Sequence, residues 1–236
     1  MEVVTGKRYA VITGDIVGSR KFSEEARRDL HAVMMAGAGA LCAVFGEAVP
    51  LELETFRGDA WQVVIAEPAR ALRIGSFYRA FLRAGISGVK ADTRLAIGVG
   101  SVDFIPAGKV SSGDGEAYRL SGGLLERMPR QQRLAFGFAA PRADDLLAAL
   151  DTVIQLMDVL ASGWSAKQAQ AVTGALQGWT QEKIATACWS RPITQQAVAQ
   201  HLDRAGWHAF ERGLVFFEDT LSALLNTHDP AGHPNE

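Results

Sequence analysis

Apolar positions in the first half of the chain follow two spacings. Short runs of strand length alternate with longer stretches in which apolar side chains return every three or four residues. Residues 11–17 read as a strand, after which Ser23 reads as the N-cap of a helix running toward Phe45, with Glu24 and Glu25 in its first turn. Residues 51–56 and 61–65 are β-rich and flank Arg57-Gly58-Asp59-Ala60, the spacing of a hairpin with a tight turn and Asp59 at its tip. Beyond Pro68, the apolar positions Leu72, Ile74, Phe77, Phe81 and Leu82 predict a second amphipathic helix over 69–84. A strand over 94–102, a loop over 106–113, a helix over 116–128 and a strand over 134–138 complete the series β-α-β-β-α-β-α-β. This order predicts an α+β fold: a ferredoxin-like core extended by one helix and one strand, with helices on one face of a mainly antiparallel sheet.

Past Pro141 the strand signals stop. A strongly amphipathic helix covers 144–160, and shorter helices follow, broken at Gly178, Arg191-Pro192 and Gly206. The expected organisation is a first domain over 1–141, a connecting helix over 142–163, an all-α domain over 164–226 and a disordered tail over 227–236. No internal repeat is visible.

Composition narrows the field of functions. A formal net charge of -2 over 236 residues excludes a generally basic nucleic-acid binder, so any contact with nucleic acid has to be local. The two cysteines, Cys42 and Cys188, lack the spacing of a zinc site or a disulfide framework and are expected to be reduced thiols. The N-terminus has no apolar signal core, and no uninterrupted apolar run approaches the ~20 residues of a membrane span. The expectation is a cytoplasmic protein without a membrane partner.

Asp15 and Asp59 are the candidate catalytic residues. Each follows a glycine at the edge of an apolar run, where a strand delivers the carboxylate to a surface and a small residue admits a phosphate to the backbone. Two carboxylates supply the hard oxygen ligands that Mg²⁺ or Mn²⁺ needs against a nucleotide. The N–H groups of Ile16, Val17, Gly18 and Ser19 could cradle phosphates where the next helix starts, and Arg57 and Gly58 could contact them at the hairpin tip. Asp114 could face the site, with Tyr118 or Arg119 against a base or phosphate. The competing readings are ordinary ones: turn aspartates, a solvated Arg57, a capped helix start at Ser111 to Asp114, and core packing or a surface ion pair for Tyr118 and Arg119.

These segments carry a family resemblance. The first-strand Asp15-Ile16-Val17-Gly18, the hairpin Gly58-Asp59 and the run Arg94 to Gly100 resemble the palm-like catalytic domain of class III nucleotidyl cyclases. Taken with Gly14 to Lys21, Phe56 to Asp59 and Asp114 to Tyr118, they look like the SatD family of bacterial proteins, whose members often continue into a helix-turn-helix. The resemblance implies Asp15 and Asp59 as metal ligands, a backbone carbonyl ligand from Ile16, a nucleoside triphosphate as partner, nucleotidyl transfer or cyclisation as the activity, and a homodimer. Two departures bear on activity. Thr55 stands where cyclases carry a purine-selecting lysine or glutamate, and residues 115–128 lack a clear counterpart of the Asn and Arg that support the cyclising transition state.

In the C-terminal part, residues 180–188 and 194–202 resemble a sigma-factor-type helix-turn-helix. Thr180 would cap its first helix, and Ile184, Ala185, Val198 and Leu202 would form its small core. Thr194, Gln195, Gln196 and Gln200 would meet the major groove of double-stranded DNA, with Arg204 near phosphate. Against this stands charge: from Ser165 onward the basic residues are Lys167, Lys183, Arg191, Arg204 and Arg212, outnumbered by acidic ones. Three readings therefore compete: a metal-dependent nucleotide-binding enzyme coupled to a helix-turn-helix, a non-enzymatic transcriptional regulator that uses the palm-like domain for sensing or dimerisation, and a pair of scaffolds for protein contacts in which the aspartates are structural.

Overall fold

Strand β1 (Arg8–Ile16) is the centre of the molecule because nearly every residue in it is buried on one face or the other. The computed structural model describes residues 3–56, 58–86, 91–139 and 144–228. After β1 come α1 (Glu24–Phe45), the hairpin β2 (Glu54–Phe56) and β3 (Ala60–Ile65), α2 (Ala71–Gly85), β4 (Thr93–Ser101), α3 (Glu116–Arg127) and β5 (Leu134–Phe138). The expected element order is present. The sheet runs β2-β3-β1-β4-β5, antiparallel except for the parallel β4–β5 pair. Its first four strands have the ferredoxin-like arrangement, and β5 extends the edge.

Helices cover both faces of this sheet, which corrects the one-face expectation. Strand alternation sends Ala10, Ile12 and Ile16 toward α1 and α2, and Tyr9, Val11 and Thr13 toward α3. Helix α3 lies so close to β4 that a Cβ on Gly98 would meet the Ala117 carbonyl oxygen at 2.4 Å. The Thr13 and Ser121 hydroxyls are hydrogen-bonded to each other at 2.8 Å across that interface. Strand β2 is shorter than expected, because Leu53 leaves the strand and packs into the core on the α1 and α2 side.

The C-terminal part comprises α4 (Asp144–Gly163), α5 (Ala166–Ala175), α6 (Gln181–Ala187), α7 (Gln195–Arg204) and α8 (Trp207–His228). Its breaks fall at Gly178 and Gly206 as expected, but α8 is long, with 22 residues, and runs into the segment expected to be disordered. The rest of that segment lies outside the described residues. This part is not separately cored. One hydrophobic cluster runs from Ala10 and Ile12 through Phe77 and Phe136 to Ile154, Phe210, Phe217 and Leu224. Helix α5 packs on α2, α4 packs on β5, and Phe136 meets Phe217 edge to face at 5.0 Å.

Two helical segments, Glu24–Ala48 and Asp145–Gly163, are long and apolar enough to cross a membrane by length and composition. Their uninterrupted apolar runs are shorter than a span, because Arg28, Asp29 and His31 precede Ala32 in α1 and Asp151 and Asp158 interrupt α4. In the fold, Leu30, Met34, Leu41 and Phe45 of α1, and Leu150, Ile154 and Met157 of α4, are buried in the common core.

Candidate metal and phosphate site

The site forms where β1 ends beside the β2–β3 hairpin. Asp15 pairs with Ala60 on one side and Arg94 on the other, and the Ile16 N–H donates to the Asp59 carbonyl at 3.1 Å. The two aspartates are thus brought together through their backbones. Their carboxylates have different partners. Arg94 Nε donates to Asp15 Oδ1 at 2.8 Å, and Arg94 Nη2 also bonds Oδ2, a bidentate pair in which both side chains are about one-quarter exposed. Asp59 Oδ2 instead accepts from the Ser19 hydroxyl.

The strand end is fixed by Thr93. Its hydroxyl accepts from the Trp61 indole N–H at 2.8 Å and donates to the Asp15 carbonyl at 2.8 Å. Trp61 also explains Gly14. A Cβ there would sit 2.4 Å from the indole ring, so this glycine serves packing and not phosphate approach. Gly58 behaves as expected: its φ of 86° needs glycine, and the space over it is open.

The expected backbone cradle is only half available. The Ile16 and Val17 N–H groups are spent on the carbonyls of Asp59 and Asp92, the latter at 2.8 Å. Gly18, with φ 72°, and Ser19 have N–H groups without a partner among the described residues. The following helix offers no anion site, since Ser23 caps it and Glu24 and Glu25 occupy its first turn.

Beside Asp59 lies a cavity of about 340 Å³ lined by Ser19, Arg20, Arg27, Leu30, His31, Gly58 and Asp59. Arg20, Arg27 and His31 were not singled out from the sequence. The signal was present, because Arg27 and His31 are four residues apart on one face of α1, immediately after the Gly-Ser turn. Arg27 Nη2 donates to the Arg20 carbonyl at 3.2 Å, which ties the two together. Arg57 lies outside the described residues.

Asp114 and Arg119 are not brought to this site. Asp114 accepts from Arg119 Nη1 and from the Gly115 N–H, and its backbone bridges Phe104 just past the end of β4. That end of β4 lies beside Arg8, eight residues from the Ile16–Thr93 pair, or about 26 Å along the strand. Tyr118 is buried and its hydroxyl has no hydrogen-bond partner among the described residues, so core packing is its role. Burial, reinforced by the Glu54 charge, pushes its phenol well above the usual range.

Among the described residues no group of three or more His, Cys, Asp or Glu side chains could hold a metal ion. The donors fit Mg²⁺ only in its common mode, one or two carboxylates with phosphate oxygens and water completing the shell. Of the two carboxylates, Asp59 lines the cavity, while Asp15 does not line it and is engaged by Arg94.

No protein-family model matches the chain, and no curated protein matches its sequence. Among solved structures, the crystal structure of the guanylyl cyclase Cya2 is similar at 14% identity, with 54% of this chain and 73% of that chain covered and a TM-score of 0.38. That likeness concerns the fold alone.

The helix-turn-helix candidates form a second, separate surface. Thr180 and Thr194 cap α6 and α7 by accepting from the N–H groups of Lys183 and Ala197, and Ile184, Ala185, Val198 and Leu202 are buried. Thr194 thereby has its oxygen committed to capping. Gln195, Gln196, Gln200 and Arg204 are exposed. Trp189 stacks near His201 at 6.1 Å between centroids, so this ring serves the fold and not a base stack.

Proposed function

We propose that the end of β1 and the adjoining hairpin bind the phosphates of a nucleoside triphosphate together with Mg²⁺ or Mn²⁺. The observation that carries this reading is the cavity lined by Asp59 together with Arg20, Arg27 and His31. A carboxylate suits a hard cation, and two guanidiniums suit the phosphates that the cation would share. A volume of about 340 Å³ is near the lower limit for small-molecule sites, matching a polyphosphate held inside with the base outside. In this reading Asp15, Asp59 and the Ile16 carbonyl hold the metal, which would neutralise phosphate charge. Ser19, Gly18, Gly58, Arg20 and Arg27 position the phosphates. The SatD-like motifs and the cyclase-like metal aspartates agree with it. The missing Asn and Arg counterparts on α3 argue for binding, or for a transfer reaction, over cyclisation.

The test is titration of the full chain with fluorescent ATP and GTP analogues, with and without Mg²⁺. Saturable binding that requires the metal, and that weakens at least tenfold in both Asp59→Asn and Arg27→Ala, is expected. Binding that ignores both substitutions would overturn the assignment.

A second reading has its own observation: the exposed row Gln196, Gln200 and Arg204, at four-residue spacing on a well-capped α7. On this reading α6 and α7 present a helix to double-stranded DNA and the nucleotide site acts as a sensor.

A further inference from the structure

A second cavity of about 340 Å³ lies where α1 and α2 meet α5 and α6, away from Asp59 and its basic neighbours. Its walls are aromatic and aliphatic: Phe77 and Phe81 from α2, Val44 and Ala40 from α1, and Trp179 just ahead of α6. No charged side chain lines it. Its polar members have turned their donors to the backbone: Gln177 Nε2 donates to the Thr173 carbonyl at 3.1 Å, the Thr173 hydroxyl to Ala169 at 2.8 Å, and Gln170 Nε2 to Cys188. What remains for a guest is mainly apolar wall, with amide oxygens, the Trp179 indole and the Cys188 thiol as its polar groups.

Small side chains at Ala40, Ala84 and Ala187 line the space together with Phe77 and Phe81. Gly85 is also on the wall, and a Cβ there would lie 2.6 Å from Val33. The cavity is open to solvent at Gly85 and Ala187, and the Lys183 ammonium lies 4.2 Å from the Trp179 ring centroid, so the preference for a neutral ring of one or two fused cycles rests on the aromatic and aliphatic walls it would contact. Volume and the apolar lining converge on one class of guest.

We propose that this cavity binds a small, uncharged aromatic molecule, and that the guest bridges α2 of the sheet layer to α6 of the helix-turn-helix. Cys188, the C-cap of α6, lines the cavity and reports on its occupancy, while Cys42, half-buried on α1, does not line it.

The experiment uses the full chain with N-phenyl-1-naphthylamine, a neutral two-ring fluorophore, and its anionic relative anilinonaphthalene sulfonate. Saturable binding of the neutral probe is expected, at least tenfold tighter than that of the anion. Ala84→Leu and Ala40→Leu, at lining positions on α2 and α1, should each weaken it at least tenfold while keeping the native helical circular dichroism. The bound probe should also slow iodoacetamide alkylation of Cys188, read by mass spectrometry, and leave Cys42 unchanged. Equal binding of both probes, binding indifferent to a folded leucine variant, or unprotected Cys188 would each overturn the proposal.

Discussion

Arg94 governs whether the Asp15 carboxylate is free to meet a cation. Its bidentate grip is about one-quarter exposed, and pairs open to solvent are worth up to about 1 kcal/mol, so in the proposed reading a divalent ion with phosphate competes with it. Arg94→Ala should therefore tighten Mn²⁺ binding by up to roughly fivefold, the equivalent of that energy, in a spin-resonance titration. Weaker binding in the variant would show that Arg94 instead positions Asp15 or contacts phosphate. Deeper in the molecule, Arg79 grips Asp92 with two bonds and Asp158 with a third, and Arg83 adds a bond to Asp92 and two to the carbonyls of Trp164 and Ser162. Burial alone would push the Asp92 carboxyl up, but the charges and hydrogen bonds of Arg79 and Arg83, with the Thr93 N–H, hold it below its ordinary value. A carboxyl depressed in the folded state gives stability that is present above its unfolded pKa, about 4, and disappears as pH falls through the folded value. Asp92→Asn should cost about 3–5 kcal/mol at pH 7, because two buried guanidiniums lose their shared anion. The gap to wild type should narrow below pH 4. Urea titrations at pH 7 and pH 3 measure both effects.

Helix α7 shows how far an element can be read from sequence. Its cap, its buried Val198 and Leu202 and its exposed glutamines all follow from spacing, and the structure places each as expected. Thr194→Ala should lower stability by about 1 kcal/mol through the lost cap. Gln196→Ala and Arg204→Ala should leave stability within about 0.5 kcal/mol, as exposed substitutions do. If α7 reads DNA, these two weaken duplex binding in low-salt anisotropy titrations. Unchanged binding would remove α7 from the interface. The strands were legible for the same reason, since apolar runs of fixed length punctuated by glycine define them. What escaped depends on which elements meet. Gly14 looked like a phosphate-binding glycine because only the sheet register brings Trp61 over it. Arg20, Arg27 and His31 share a cavity with Gly58 and Asp59 only once the hairpin is placed beside α1. Asp114 was misplaced although the topology contained the answer: β4 runs antiparallel to β1, so its C-terminal end lies opposite to Asp15.

The buried ion network and the shared core join the two parts of the chain. Asp92 accepts the Val17 N–H through its carbonyl, beside the candidate metal site, while the guanidiniums on its carboxylate reach Asp158, Ser162 and the Trp164 carbonyl of the α4 segment. On the surface, Arg73 of α2 pairs with Glu218 of α8. Sequence composition suggests a boundary near Pro141, but a cut there would expose Phe136 and Phe138 on β5 and strip α5 from α2. It would also leave Arg79 and Arg83 with Asp92 as their one remaining carboxylate. Uncovering that much apolar surface, at about 25 cal/mol per Å², exceeds the few kcal/mol by which small domains are stable. Residues 1–141 and 164–228, expressed separately, should therefore lack a cooperative transition, and the full chain should unfold in urea as one. Circular dichroism, which follows the helices, and tryptophan fluorescence, with Trp61 in the sheet and Trp164 against Phe210, should give coincident midpoints. Two separated midpoints would show instead that the helical part is an independent domain. Any signal passing from a helix-turn-helix to the carboxylate site would then need a route other than the Arg79–Asp92 network.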